Sequence, residues 1–189
     1  YCIATNACGT DQSGNIMLKV NIPVSVYKQS RDTTKCVGDA TLFNVQVLGT
    51  MPVNYAWYFE DDSIPGAHEN IYYINSLKEN QGGIYYCKLT NVCSTVDGAE
   101  KELTVKSLPD IHLGNDTTFC LGGSVDLSAD GPYYCKWNTG STKLTLSVTH
   151  SGTFYVHVID PNGCKNYSDT VNITVLVPFA NEKLCVVSV

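Results

Sequence analysis

The chain has 189 residues, with 12 lysines and arginines against 18 aspartates and glutamates, a net charge of −6 and a pI near 5.0. That balance excludes phosphate-directed recognition of DNA or RNA, which needs a basic face, so no nucleic-acid partner is expected. Hydrophobic residues make up 43% and mean hydropathy is −0.06, enough for a packed core, and there is no run of eighteen apolar residues to form a transmembrane helix. No membrane insertion and no cofactor are expected.

The chain opens on a segment that it later repeats. Tyr1-Cys2-Ile3-Ala4-Thr5-Asn6-Ala7-Cys8 returns 85 residues on as Tyr86-Cys87-Lys88-Leu89-Thr90-Asn91-Val92-Cys93, and Leu18 and Val20 then match Leu103 and Val105 without a gap. Such a period is about the size of one small β-sandwich. Residues 1–20 therefore read as the C-terminal hairpin of a truncated module, with Ile16, Leu18 and Val20 as its final strand. No signal peptide opens the chain, as expected of an internal slice.

Residues 22–106 form a complete module. A strand is predicted from Ala40 to Val47, and Val53 to Phe59 alternates so that Tyr55, Trp57 and Phe59 share one face. After a short linker at 106–110, residues 109–176 form a second, shorter module. A second repeat marks both: Asp32-Thr33-Thr34-Lys35-Cys36-Val37-Gly38 returns as Asp116-Thr117-Thr118-Phe119-Cys120-Leu121-Gly122. Residues 177–189 read as a linker and the start of a further module. Helical periodicity is nowhere sustained, so the class is all-β.

The run Tyr72-x-Ile74-x-x-Leu77, then Gln81-x-Gly83-x-Tyr85-x-Cys87, resembles the corner of immunoglobulin-like domains where a tyrosine precedes a core cysteine by two residues. Trp57 then matches the core tryptophan. The position facing Cys87 is Val45, so the usual inter-sheet disulfide cannot form and Cys87 is read as a buried thiol against Trp57. Cys2 corresponds to Cys87, and Cys135 and Trp137 are the equivalent core residues of the second module. The segments Leu113–Leu127, Trp137–Thr142, Ser151–Val158 and Asp160–Cys164 resemble immunoglobulin-like or PKD-like repeats of secreted Bacteroidetes surface proteins, the gliding-motility-associated and adhesin-like group. The resemblance implies tandem β-sandwiches in a head-to-tail array, exported to the cell surface by the type IX route.

Nine cysteines without a C-x-x-C favour disulfides in an oxidising compartment over zinc. Each module has one cysteine in Cys-x-Gly and one near its last hairpin turn: Cys36 and Cys93, then Cys120 and Cys164. Pairing within modules is the simple expectation. In an immunoglobulin-like sandwich, however, those turns lie at opposite poles, ~20 Å apart along a strand of about seven residues, while bridged Cα atoms approach within ~7 Å. The alternative joins Cys36 to Cys164 across the linker, with Cys93 and Cys120 reaching other modules.

The same resemblance implies O-glycosylation at Asp-Thr motifs, with Thr33, Thr117 and Thr170 as candidates. Sequons at Asn115, Asn166 and Asn172 would matter in a eukaryotic source. His68, His112, His150 and His157 are scattered, and Glu60-Asp61-Asp62 reads as a solvated turn rather than a calcium site. No nucleophile elbow, zinc-protease motif or phosphate loop is present. The expected function is non-catalytic: a structural or adhesive repeat segment of an exported bacterial surface protein, with neighbouring modules and an extracellular protein or glycan as partners. The alternative is an accessory stalk of a secreted enzyme whose catalytic domain lies elsewhere. A eukaryotic receptor ectodomain and a carbohydrate-binding module are weaker fits.

Overall fold

The computed structural model describes residues 1–178; most of the expected linker and further module at 177–189 lies outside the described residues. Apart from one 3-10 turn at Glu79–Gln81, the regular elements among the described residues are strands. By density of contacts the chain divides into two compact units. The first comprises Tyr1–Thr33, Leu42–Ile74 and Gly83–Leu103; the second takes Thr34–Thr41, Asn75–Gly82 and the chain from Thr104 onward.

The first two strands, β1 (Ile3–Asn6) and β2 (Gly9–Gln12), form an isolated antiparallel hairpin with every residue exposed. Ile16, Leu18 and Val20, expected as a final strand, are instead irregular and 85%, 84% and 74% exposed. The alternation is correct for a strand, but a strand needs a neighbour to hydrogen-bond, and no strand among the described residues supplies one.

Nine strands follow: β3 (Ser25–Gln29), β4 (Thr33–Cys36), β5 (Thr41–Leu48), β6 (Asn54–Phe59), β7 (Asp62–Ser63), β8 (Ile71–Ile74), β9 (Gly83–Thr90), β10 (Thr95–Asp97) and β11 (Lys101–Lys106). One sheet has the order β3-β5-β8. The other runs β4-β11-β9-β6-β7, with β10 also on β9. An aromatic core fills the space between them. Phe43 stacks on Tyr85 with ring centroids 4.6 Å apart, Phe59 meets Tyr85 at 4.8 Å, and Trp57 lies 6.2 Å from Phe43 and 6.3 Å from Tyr72. Period-two alternation places these rings on inner faces, and burying so large an apolar area is the main force holding the layers together.

The second set comprises β12 (Thr117–Cys120), β13 (Val125–Ser128), β14 (Tyr134–Trp137), β15 (Thr145–Val148), β16 (Gly152–Phe154), β17 (Val156–Ile159), β18 (Lys165–Tyr167) and β19 (Val171–Leu176). The sheets are β12-β19-β16, β13-β15 and β14-β17-β18, and β12 runs parallel to β19. Their core gathers Leu127, Trp137, Val148, Phe154, Val156, Val158, Val171 and Ile173, all almost fully buried.

The repeated Asp-Thr-Thr-x-Cys is thus a strand of its own, β4 or β12, laid against the last strand of its set. Both copies end alike. The Val37 N–H donates to the Lys106 carbonyl at 2.9 Å, and the Leu121 N–H donates to the Leu176 carbonyl at 2.9 Å. The chain then turns through Gly38 (φ 86°) and Gly122 (φ 93°), a left-handed conformation that side chains resist. That is the physical reason for the glycine in each Cys-x-Gly.

Candidate functional site

The buried cysteines are structural. Trp57 and Cys87 are direct cross-strand partners on β6 and β9, 3% and 2% exposed, and with Val45 and Phe43 they line a cavity of about 10 Å³, at the lower limit for one water. Burial pushes the Cys87 thiol up to about 11, so it stays protonated and inert. Tyr85, 2% exposed, is pushed up to about 12 by burial, with Tyr72 and Glu60 adding to the shift. In the second set, Cys135 and Trp137 both face inward and share one acceptor. The Lys143 carbonyl receives the Cys135 thiol at 3.1 Å and the Trp137 indole N–H at 2.8 Å. Burial raises the Cys135 thiol as well.

The turn cysteines divide differently. Cys36 is joined to Cys164, with Cα atoms 5.6 Å apart and 128 residues between them in sequence. Both belong to the second compact unit. Cys120 is also disulfide-bonded, whereas Cys2, Cys8 and Cys93 are exposed free thiols. The pairings Cys36–Cys93 and Cys120–Cys164 are therefore not formed.

The hairpin turn at Asn91 explains the first repeat. Asn91 is buried, and its Nδ2 donates to the Ile22 and Thr50 carbonyls at 2.8 and 3.0 Å while its Oδ1 accepts the N–H groups of Cys93 and Ser94. Asn6 accepts the N–H groups of Cys8 and Gly9 in the same way. Thr5 faces Thr10 across its hairpin at 3.1 Å, as Thr90 faces Thr95 at 3.0 Å. Asp160 plays the equivalent part before Cys164, accepting its N–H at 2.8 Å, and hydrogen bonds led by the Asn162 side chain hold its carboxyl below the usual range.

The aspartates of the Asp-Thr-Thr copies have a structural task that the sequence did not reveal. Asp32 accepts the Glu102 N–H at 3.1 Å, and Asp116 accepts the Asn172 N–H at 2.7 Å. Beside them, Thr33 and Thr117 are half-buried, Thr117 donates to the Asn115 carbonyl at 3.0 Å, and Thr34, Thr118 and Thr170 are exposed. Of the sequons, Asn166 and Asn172 both spend their side-chain N–H groups, on the Pro109 carbonyl and on Asp116.

The remaining polar residues do not converge. No group of three or more potential metal ligands occurs among the described residues. Glu60 is not simply solvated: its carboxylate accepts the Ile84 N–H at 3.0 Å, and with φ 52° it forms the tight turn between β6 and β7. His112 sits in the open beside Asp110 and Asp169 at 3.2 and 3.6 Å, while His150 and His157 rest against Phe154 and Tyr167. The outer sheet faces differ between the two sets. On β6, β9 and β10, Tyr58 stacks on Tyr86 at 4.9 Å, and Lys88 lies over the Tyr58 ring and 3.8 Å from Asp97. On the other set, His157 of β17 and Tyr155, just before that strand, flank Tyr167 of β18 at 4.7 and 6.2 Å.

No protein-family model matches the chain. Among solved structures, it is similar to the insect immune protein hemolin (14% identity, 93% of this chain and 55% of that one, TM-score 0.54) and to the I67–I69 fragment of titin (16%, 92% and 72%, TM-score 0.53). A fragment with immunoglobulin domains 1–5 of Sidekick-1 aligns at 16% identity over 83% of this chain, with a TM-score of 0.47. The chain spans only 38% of that fragment's length. At such identities the likeness is one of fold: the chain is all-β and built of tandem immunoglobulin-like modules.

Proposed function

We propose that residues 22–106 and 109–176 are non-catalytic structural and adhesive modules of an exported bacterial surface protein, and that residues 1–20 are the closing hairpin of a further module. The observation that carries this reading is the shared construction of the two Asp-Thr-Thr-x-Cys strands, combined with the Cys36–Cys164 bond between one copy and the last hairpin of the following module. A cross-link of that kind suits an oxidising, extracellular setting and stiffens a spacer against rotation. Cys93 stands in a hairpin turn two residues after Asn91, as Cys164 stands four residues after Asp160, and by this logic its partner is a Cys-x-Gly turn of a neighbouring module. The wording of the second module favours a Bacteroidetes source, type IX export and PKD-like kinship. The exposed Thr34, Thr118 and Thr170 lie at or beside the candidate O-glycan sites Thr33, Thr117 and Thr170. Reading the parent gene through both ends of the chain tests the proposal. Further repeats with a terminal sorting domain are the expected result. A catalytic domain with its nucleophile or paired carboxylates in place would make these modules the stalk of a secreted enzyme instead.

A further inference from the structure

The sheet β14-β17-β18 turns Cys135, Trp137, Val156 and Val158 to the core, so its other face looks out. Lys136, His157 and Tyr167 form one cross-strand row there, and Tyr134, Ile159 and Lys165 form the next. Tyr155 extends the face, its ring meeting that of Tyr167 edge-on. Tyr134, Tyr155 and Tyr167 are 77%, 39% and 61% exposed. Each row crosses two strand spacings, about 10 Å, and the rows lie about 7 Å apart.

The charge on this face runs against its surroundings. Residues 109–176 contain six aspartates and three lysines, yet two of those lysines, Lys136 and Lys165, stand on this face with no carboxylate beside them in either row. Neither makes an ion pair among the described residues. The outer face of β6, β9 and β10 differs, since Lys88 there is already held by Asp97 and the Tyr58 ring. Ile159 is the only aliphatic residue on the rows and is itself half-buried, so a protein partner would find little apolar surface to anchor on.

We propose that this face binds an acidic polysaccharide, a chain of sugar rings carrying carboxylate or sulfate groups. The exposed tyrosine rings offer flat apolar surfaces with polar tips to the C–H faces of the sugars, and Lys136 and Lys165, at opposite edges of the sheet, meet acid groups along the chain. The proposal deepens the adhesive reading above and rests on it, because the face must be open to solvent in the parent array.

The test uses the 189-residue chain on immobilised polygalacturonate and heparin, with dextran and polyglutamate as controls. Binding to at least one acidic polysaccharide is expected, weakening between 50 and 300 mM salt as screening sets in. Lys136→Gln/Lys165→Gln and Tyr167→Ala should each weaken it about tenfold or more, with melting unchanged because these side chains are exposed. Lys143→Gln should bind as the unaltered chain does. Binding to neither acidic polysaccharide overturns the proposal, as do equal binding by the variants and equal or tighter binding to polyglutamate. Adhesion of the chain to cells without polysaccharide binding would overturn this inference alone; absence of both would remove the adhesive reading with it.

Discussion

Asp116 holds Asn172 at two points, accepting its backbone N–H on Oδ1 at 2.7 Å and its side-chain N–H on Oδ2 at 3.1 Å. These bonds ground β12 on β19, and they hold the Asp116 carboxyl below the usual carboxylate range, the backbone N–H contributing most. Its folded pKa lies below the unfolded value near 3.9. The contribution to stability is therefore complete above that value and is lost as pH falls through the folded pKa. Asp116→Ala should lower the midpoint of urea unfolding at pH 7, and the gap from the unaltered chain should be smaller at pH 2 than at pH 7. A gap of equal size at both pH values would show that the carboxylate is not the group responsible.

Asn91 and Asn6 test how much of a shared turn is local. Both accept two N–H groups of their turns, but only Asn91 is buried and also donates to Ile22 and Thr50. Asn91→Ala leaves two carbonyls and two N–H groups without their partner, so a loss of about 2–4 kcal/mol is expected. Asn6→Ala, in an exposed hairpin, should cost about 1 kcal/mol at most. Equilibrium denaturation of both variants checks the contrast, and equal losses would contradict it.

The Cys36–Cys164 bond closes a long loop in the unfolded chain. Replacing both cysteines by serine should lower stability by roughly 2–5 kcal/mol. Denaturation of the unaltered chain with and without a thiol reductant gives an independent measure, and the double variant should no longer respond to the reductant through this bond. A double variant as stable as the parent would mean that the bond is ornamental to the fold.

Much of this architecture was legible because period two writes burial directly into sequence. Trp57, Tyr85, Cys87, Cys135 and Trp137 are buried where alternation and the tyrosine–cysteine spacing put them. What stayed hidden depends on pairing rather than pattern. Ile16, Leu18 and Val20 alternate as well as any strand in the chain, but have no strand beside them among the described residues. The task of Asp32 and Asp116 stayed hidden because the donors they accept from, the N–H groups of Glu102 and Asn172, are 70 and 56 residues away. No local window contains such a bond. The repeat itself was the available signal: an aspartate recurring four residues before each cysteine implies a shared long-range partner.

Thiol reactivity should separate the cysteines by task. Cys87 and Cys135 are buried with raised pKa values, so few of their thiols ionise at pH 8, and alkylation should reach them only after unfolding. Cys2, Cys8 and Cys93 are exposed and should label in the native chain. Mass spectrometry of native and denatured samples distinguishes the two groups; rapid native labelling of Cys87 would contradict the packing around Trp57. The same mapping on the parent protein, recovered as its own cell exports it, reaches further. Two thiols forming a disulfide surrender two protons and two electrons, taken up by a disulfide-carrying oxidant that becomes a dithiol. Cys93 should then be protected and recovered in a peptide linked to a Cys-x-Gly segment of another module. A free Cys93 in the exported protein would remove the proposed link from Cys93 to another module.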